Sequence, residues 1–90
     1  MYYVYILFSE KDKLLYTGST PNLKTRFQKH VDGHVKATYY RRPLKLIYYE
    51  TYLDRQDAIR REIYLKGGKG RGELKIQLKE TFNKLKYTFR

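Results

Sequence analysis

The chain has 90 residues; 20 lysines and arginines against 9 aspartates and glutamates give a formal charge of +11 at pH 7 with the histidines neutral. A chain of this length buries only roughly 60 to 65% of its unfolded surface, so a single domain over 1–90 is expected, with no room for a second domain or a large cofactor fold. Cysteine is absent, which excludes disulfides, thiolate zinc sites and cysteine nucleophiles and fits a reducing, cytoplasmic setting.

The opening apolar run Tyr2–Phe8 is far too short to span a bilayer and has no basic segment before it, so it reads as a strand and no membrane partner is expected. Excess positive charge coincides with eleven tyrosines, which makes nucleic acid the leading partner class. Two tracts carry the charge. The first holds Lys36, Arg41 and Arg42 around Tyr39 and Tyr40, and the second holds Lys66, Lys69 and Arg71 among glycines. Both suit phosphate contact, with tyrosine rings able to stack on unpaired bases. A merely solvated basic face is the alternative.

In chain order, Tyr2–Ser9 and Leu14–Gly18 form a β-hairpin across the polar turn Glu10–Lys13. Thr20-Pro21 starts a helix that runs to about Asp32 and ends at Gly33. An irregular basic loop leads to Pro43, and Leu44–Tyr52 is a third strand. Asp54 caps a second helix over Arg55–Lys66, which stops at the glycines 67, 68, 70 and 72. Leu74, Leu78, Phe82 and Leu85 give the apolar stripe of a third helix, about Glu73–Lys86. The order ββαβαα predicts an α+β fold, a small antiparallel sheet with helices packed on it.

The helical period places Glu62 on the core face with Ala58 and Leu65, with Arg60 and Arg61 pointing away. A carboxylate there borders a cleft, meets a metal, or closes an intramolecular ion pair. On the first helix Leu23 and Phe27 mark the buried stripe, with Arg26 and His30 in a row beside it. Strand alternation brings Tyr5 and Tyr16 together as neighbours, by pattern alone no more than packing.

Tyr3-Val4-Tyr5 and Tyr16-Thr17-Gly18, joined by a short turn, resemble the two halves of the GIY-YIG nuclease motif. Gly18-Ser19-Thr20, Asn22-Leu23, Arg26, His30, Ala58, Arg61-Glu62 and Leu65-Lys66 follow in the family's order. The likeness covers the whole chain and is strongest to the small single-domain bacterial branch related to the UvrC nuclease domain. It implies a three-stranded antiparallel sheet flanked by helices and a metal-dependent endonuclease that hydrolyses DNA with little sequence specificity, in repair or recombination. By the same resemblance Glu62 holds a divalent ion, magnesium or else manganese. Tyr5 or Tyr16 acts on the attacking water, Arg26 stabilises the phosphate, and His30 supports a catalytic tyrosine. Tyr3 and Thr17 stand where the motif has glycine and isoleucine, and the asparagine that many members carry after the glutamate has only Asn83 to match it. A non-catalytic nucleic-acid-binding module with the same fold is the alternative, and a missing protein partner could supply specificity.

Overall fold

The computed structural model describes residues 1–87; the expected extent of 1–90 runs past them. Strand β1 (Tyr2–Ser9) lies between β2 (Leu15–Thr20) and β3 (Leu44–Tyr52), antiparallel to both, so the sheet order is β2-β1-β3. Helices α1 (Leu23–Val31), α2 (Arg55–Lys66), α3 (Gly68–Gln77) and α4 (Lys79–Leu85) complete the α+β fold, as the sequence predicts. β1 is central because its side chains suit burial on both faces: Val4 through Ser9 are all buried. One face sends Val4 and Ile6 into a core with Ala58 and Leu65 of α2, Leu74 of α3 and Phe82 of α4. The other face carries Tyr3, Tyr5 and Leu7, paired with Thr20, Gly18 and Tyr16 of β2, and His30 of α1 packs its ring edge-on against Tyr5.

Several boundaries differ from expectation. β2 runs on to Thr20, and α1 is capped not by Thr20 but by Asn22, whose side chain accepts from the Thr25 amide; an Asx cap satisfies an orphan N–H as well as a hydroxyl does. Gly33 closes the end of α1 with φ +81°, the left-handed backbone foreseen there. The expected irregular loop contains a 3-10 helix over Lys36–Arg41. On α1 the burial is inverted: His30 is fully buried, whereas Leu23 and Phe27 are half-buried. The tyrosine-rich sheet face beneath it offers the imidazole partners that a leucine could not use.

The largest departure is the glycine cluster, which is helical rather than a loop. Gly67 alone links α2 to α3, and a Cβ on Gly70 would stand 2.1 Å from the Tyr64 carbonyl oxygen and 2.7 Å from the Leu65 Cα. The glycine therefore permits two helix backbones to touch at a sharp crossing, a tertiary gain that overrides poor helix propensity. The predicted third helix is in turn broken at Leu78 into α3 and α4, although its stripe stays inward, with Leu74 and Phe82 buried and Leu78 and Leu85 half-buried.

Arg61 also departs from its expected outward direction. On β3 Glu50 shares the Val4 face, accepts from the Tyr48 and Tyr52 hydroxyls, and forms a 2.6 Å ion pair with Arg61, which reaches Glu73 at 2.9 Å as well. Burial would raise the Glu50 carboxyl, but the hydrogen bonds from Arg61 and the two tyrosines outweigh it and hold it below its ordinary value. This network ties β3, α2 and α3 together and fixes the rotation of α2 one residue before Glu62.

Candidate active site

β2 is an edge strand, and of the sequence-predicted residues Tyr5, Tyr16, Arg26, His30 and Glu62 gather about its two faces. Tyr5 pairs with Gly18, so its ring lies across a position with no side chain; a Cβ there would meet Tyr5 Cζ and Oη at 2.6 Å. Tyr16, diagonal to it, brings its ring centroid to 6.3 Å from that of Tyr5 and 5.1 Å from that of His30. Tyr5 Oη is 2.8 Å from His30 Nε2, and His30 Nδ1 is 2.7 Å from Thr38 Oγ1 in the 3-10 helix. Arg26, one turn before His30 on α1, bears electrostatically on both tyrosines.

The Tyr5 and Thr38 hydroxyls can each donate or accept, so both imidazole nitrogens are satisfied in either tautomer. Burial, with the Arg26 charge adding, pushes His30 down to about 4, so near neutral pH the imidazole carries one proton. Tyr5 and Thr38 hold its two ring nitrogens, one of which carries that proton. Burial likewise pushes the Tyr5 phenol up to about 12, against the hydrogen bond from Arg26. Tyr5 is therefore a held, neutral phenol rather than a proton acceptor. The Arg26 guanidinium is pushed up, chiefly by its hydrogen bond to Tyr5.

Glu62 approaches β2 from the opposite face. Its Oε1 accepts from the Ser19 hydroxyl and its Oε2 pairs with Lys66 Nζ at 2.7 Å. Burial works to raise this carboxyl, but Lys66 and Ser19 together hold it below the usual carboxylate value. The intramolecular ion pair that the sequence left open is thus present. It is not closed: Lys66 spans one helical turn with its side chain 54% exposed, so the ammonium can swing into solvent. The charge of Glu62 also bears on Tyr5, with Gly18 and Ser19 of the edge strand between them.

A cleft of about 240 Å³ runs along this edge, lined in part by Tyr16, Thr17, Lys66 and Arg71. Of the predicted phosphate-contacting cations, Lys66 and Arg71 flank it, and Arg71 also donates to the Tyr87 hydroxyl at 2.9 Å. Lys69 is exposed on α3 and Lys36 at the start of the 3-10 helix. Arg42 stacks on Tyr39, and Arg41 is engaged internally, 2.6 Å from Asp12 and donating to the Leu15 carbonyl. Asn83 lies apart, in a cleft between α3 and α4 with Lys75 and Lys79. Ser19 and Thr38, which hold Glu62 and His30, escaped the sequence reading. Ser19 lies within the quoted motif and could have been found there; Thr38 gives no sequence signal.

Among the described residues no group of three His, Cys, Asp or Glu side chains is arranged to hold a metal. The ionised Glu62 carboxylate, whose Lys66 partner is largely exposed, still fits a hard divalent ion, since magnesium keeps most of its waters and shares one carboxylate with a phosphate.

A three-stranded antiparallel sheet with Tyr5, Tyr16, Arg26 and His30 on one face and Glu62 on the other defines an α+β domain with its polar groups gathered about an edge strand. The chain belongs to the GIY-YIG catalytic domain family, which it matches over residues 1–87, and so to a family of nucleases that generally use divalent metals. It is similar to UPF0213 proteins: 46% identical to one of Clostridium perfringens over 73% of this chain and 71% of that one, and 40% identical to one of Staphylococcus haemolyticus over 83% and 92%. A UPF0213 protein of Pediococcus acidilactici is 39% identical over 82% of this chain and 78% of its own. No solved structure matches the chain.

Proposed function

We propose that this chain is a divalent-metal-dependent endonuclease that hydrolyses phosphodiester bonds in DNA with little sequence specificity. The observation that carries the reading is the convergence of Tyr5, Tyr16, His30 and Arg26 on one side of the β2 edge with Glu62 on the other. In this reading Arg26 presents its planar fork to the scissile phosphate and stabilises the charge that develops there. Tyr16 is half-buried and lines the edge cleft, so its hydroxyl orients the attacking water. Tyr5, hydrogen-bonded to His30, is a positioning residue behind Tyr16 and Arg26. Glu62 holds magnesium or manganese after Lys66 swings away. When bound, the ion supplies Lewis-acid stabilisation of the phosphate. In this reading affinity rests on phosphate contacts, and the activity serves repair or recombination of irregular DNA.

The test is incubation of purified protein with nicked, branched and single-stranded DNA in magnesium or manganese, beside Glu62→Ala and Arg26→Ala. Metal-dependent scission by the parent and its loss in both variants is the expected outcome. Equal cutting by all three would place the activity elsewhere. A second reading, a nucleic-acid-binding module without turnover, is favoured by one observation, that both Glu62 oxygens already have partners. It predicts salt-sensitive binding with no scission of any substrate.

A further inference from the structure

We propose that the cleft beside Tyr39 and Tyr40 is a seat for an unpaired nucleotide, so that the substrate is DNA with a single-stranded segment; this rests on DNA being the partner. The 3-10 helix Lys36–Arg41 is held rigidly at several points. Thr38 bonds His30 at 2.7 Å, the Ser9 hydroxyl donates to the Arg41 carbonyl at 2.6 Å, and the Arg41 guanidinium is locked to Asp12 and the Leu15 carbonyl. Such a clamp displays whatever the helix carries outward, and it carries two aromatic rings. Tyr40 is 78% and Tyr39 43% exposed, packed edge to face with centroids 4.8 Å apart.

Arg42 completes the arrangement. Its guanidinium carbon lies 4.5 Å from the Tyr39 ring centroid and its Nε donates to the Tyr39 carbonyl at 2.9 Å. Gly33 makes the space: a Cβ there would stand 2.7 Å from Arg42 Nη1. The resulting cleft, about 420 Å³, is lined by Tyr39, Tyr40 and Arg42 with Lys11, and by the apolar Pro43 and Leu44, and no acidic side chain lines it. An aromatic and aliphatic wall suits a planar base, and two cations suit the phosphate beside it. Bases inside a duplex are stacked on their neighbours and cannot enter, so the cleft selects unpaired ones. Its position supports the same substrate: Tyr39 and Tyr40 follow directly on Thr38, which touches His30 and through it Tyr5.

The experiment measures binding without metal, so that cutting plays no part. Fluorescence anisotropy of a labelled oligothymidine and of a blunt hairpin duplex is compared for the parent, Tyr40→Ala and Arg42→Ala, and an iodouracil-substituted oligothymidine is photocrosslinked and mapped by mass spectrometry. Stacking of one base predicts about a tenfold loss of single-strand affinity in Tyr40→Ala with less than about a twofold change on duplex, partial retention in Tyr40→Phe, and crosslinks at Tyr39 or Tyr40. Unchanged single-strand affinity, an equal loss on both substrates, or crosslinks confined elsewhere would overturn the proposal. Absence of scission in the separate assay would sink the nuclease reading alone and leave this seat standing.

Discussion

Gly18 shows how one missing side chain organises the site. Its backbone is where the Tyr5 ring rests, with the phenol oxygen 2.6 Å from the point a Cβ would occupy. Because the obstructing atoms belong to a ring pinned by His30, Gly18→Ala is expected to cost about 1–3 kcal/mol, measured as a lower urea midpoint, and to disorder the Tyr5 to His30 contact. His30 makes a second prediction at this scale. Its folded pKa, about 4, lies below the ordinary value of 6.5. Between those values the unfolded chain takes up a proton that the native imidazole refuses, so stability is lost as pH falls through that window, by at most about 3 kcal/mol. Chemical denaturation at pH 7 and pH 5 should show a smaller drop for His30→Gln than for the parent; an equal drop would mean that His30 is not held neutral. Much of this cluster was legible in the sequence, since strand alternation makes Tyr5 and Tyr16 neighbours on one sheet face and helical spacing aligns Arg26 with His30. The depth of His30 was not legible, because its partners Tyr5 and Thr38 come from 25 and 8 residues away and only the folded sheet supplies them.

At the scale of elements, β1, β3 and α2 follow from local signals: alternation and β-branched or aromatic content for the strands, and Asp54 as cap for α2, whose side chain accepts from the Gln56 amide. Helix α3 does not follow. Glycines at 68, 70 and 72 argue against helix by propensity, and the helix exists because α2 and α3 cross with Gly70 at the contact. The same geometry separates the glycines experimentally. A Cβ at Gly72 meets nothing within 4 Å, so Gly72→Ala is expected to stabilise by up to about 1 kcal/mol. Gly70→Ala must push the helices apart and is expected to cost about 1–3 kcal/mol or more. Thermal melts of the two variants test this. If both stabilise, the crossing is looser than described. The Glu50 to Arg61 network was equally invisible to helical periodicity, which places Arg61 outward but cannot see the carboxylate that β3 brings over it.

For the molecule as a whole, the +11 charge acquires an address. Some cations are structural, with Arg41 and Arg61 each engaged by carboxylates. Others are exposed or line the two clefts, Lys66 and Arg71 beside Tyr16 and Lys11 and Arg42 beside Tyr40. The fold makes this possible by leaving β2 at the edge of the sheet, reachable from both faces, with the tyrosines on one and the carboxylate on the other. The central claim is that Glu62 and the cluster across β2 form a single metal-dependent hydrolytic site. Its most direct measurement is the initial rate of scission of a flapped DNA in magnesium by the parent and by Glu62→Gln, with metal-free binding and the urea midpoint of each recorded alongside. The account predicts a fall of about a hundredfold or more in rate with binding retained and the fold intact. Undiminished scission by folded Glu62→Gln would contradict it.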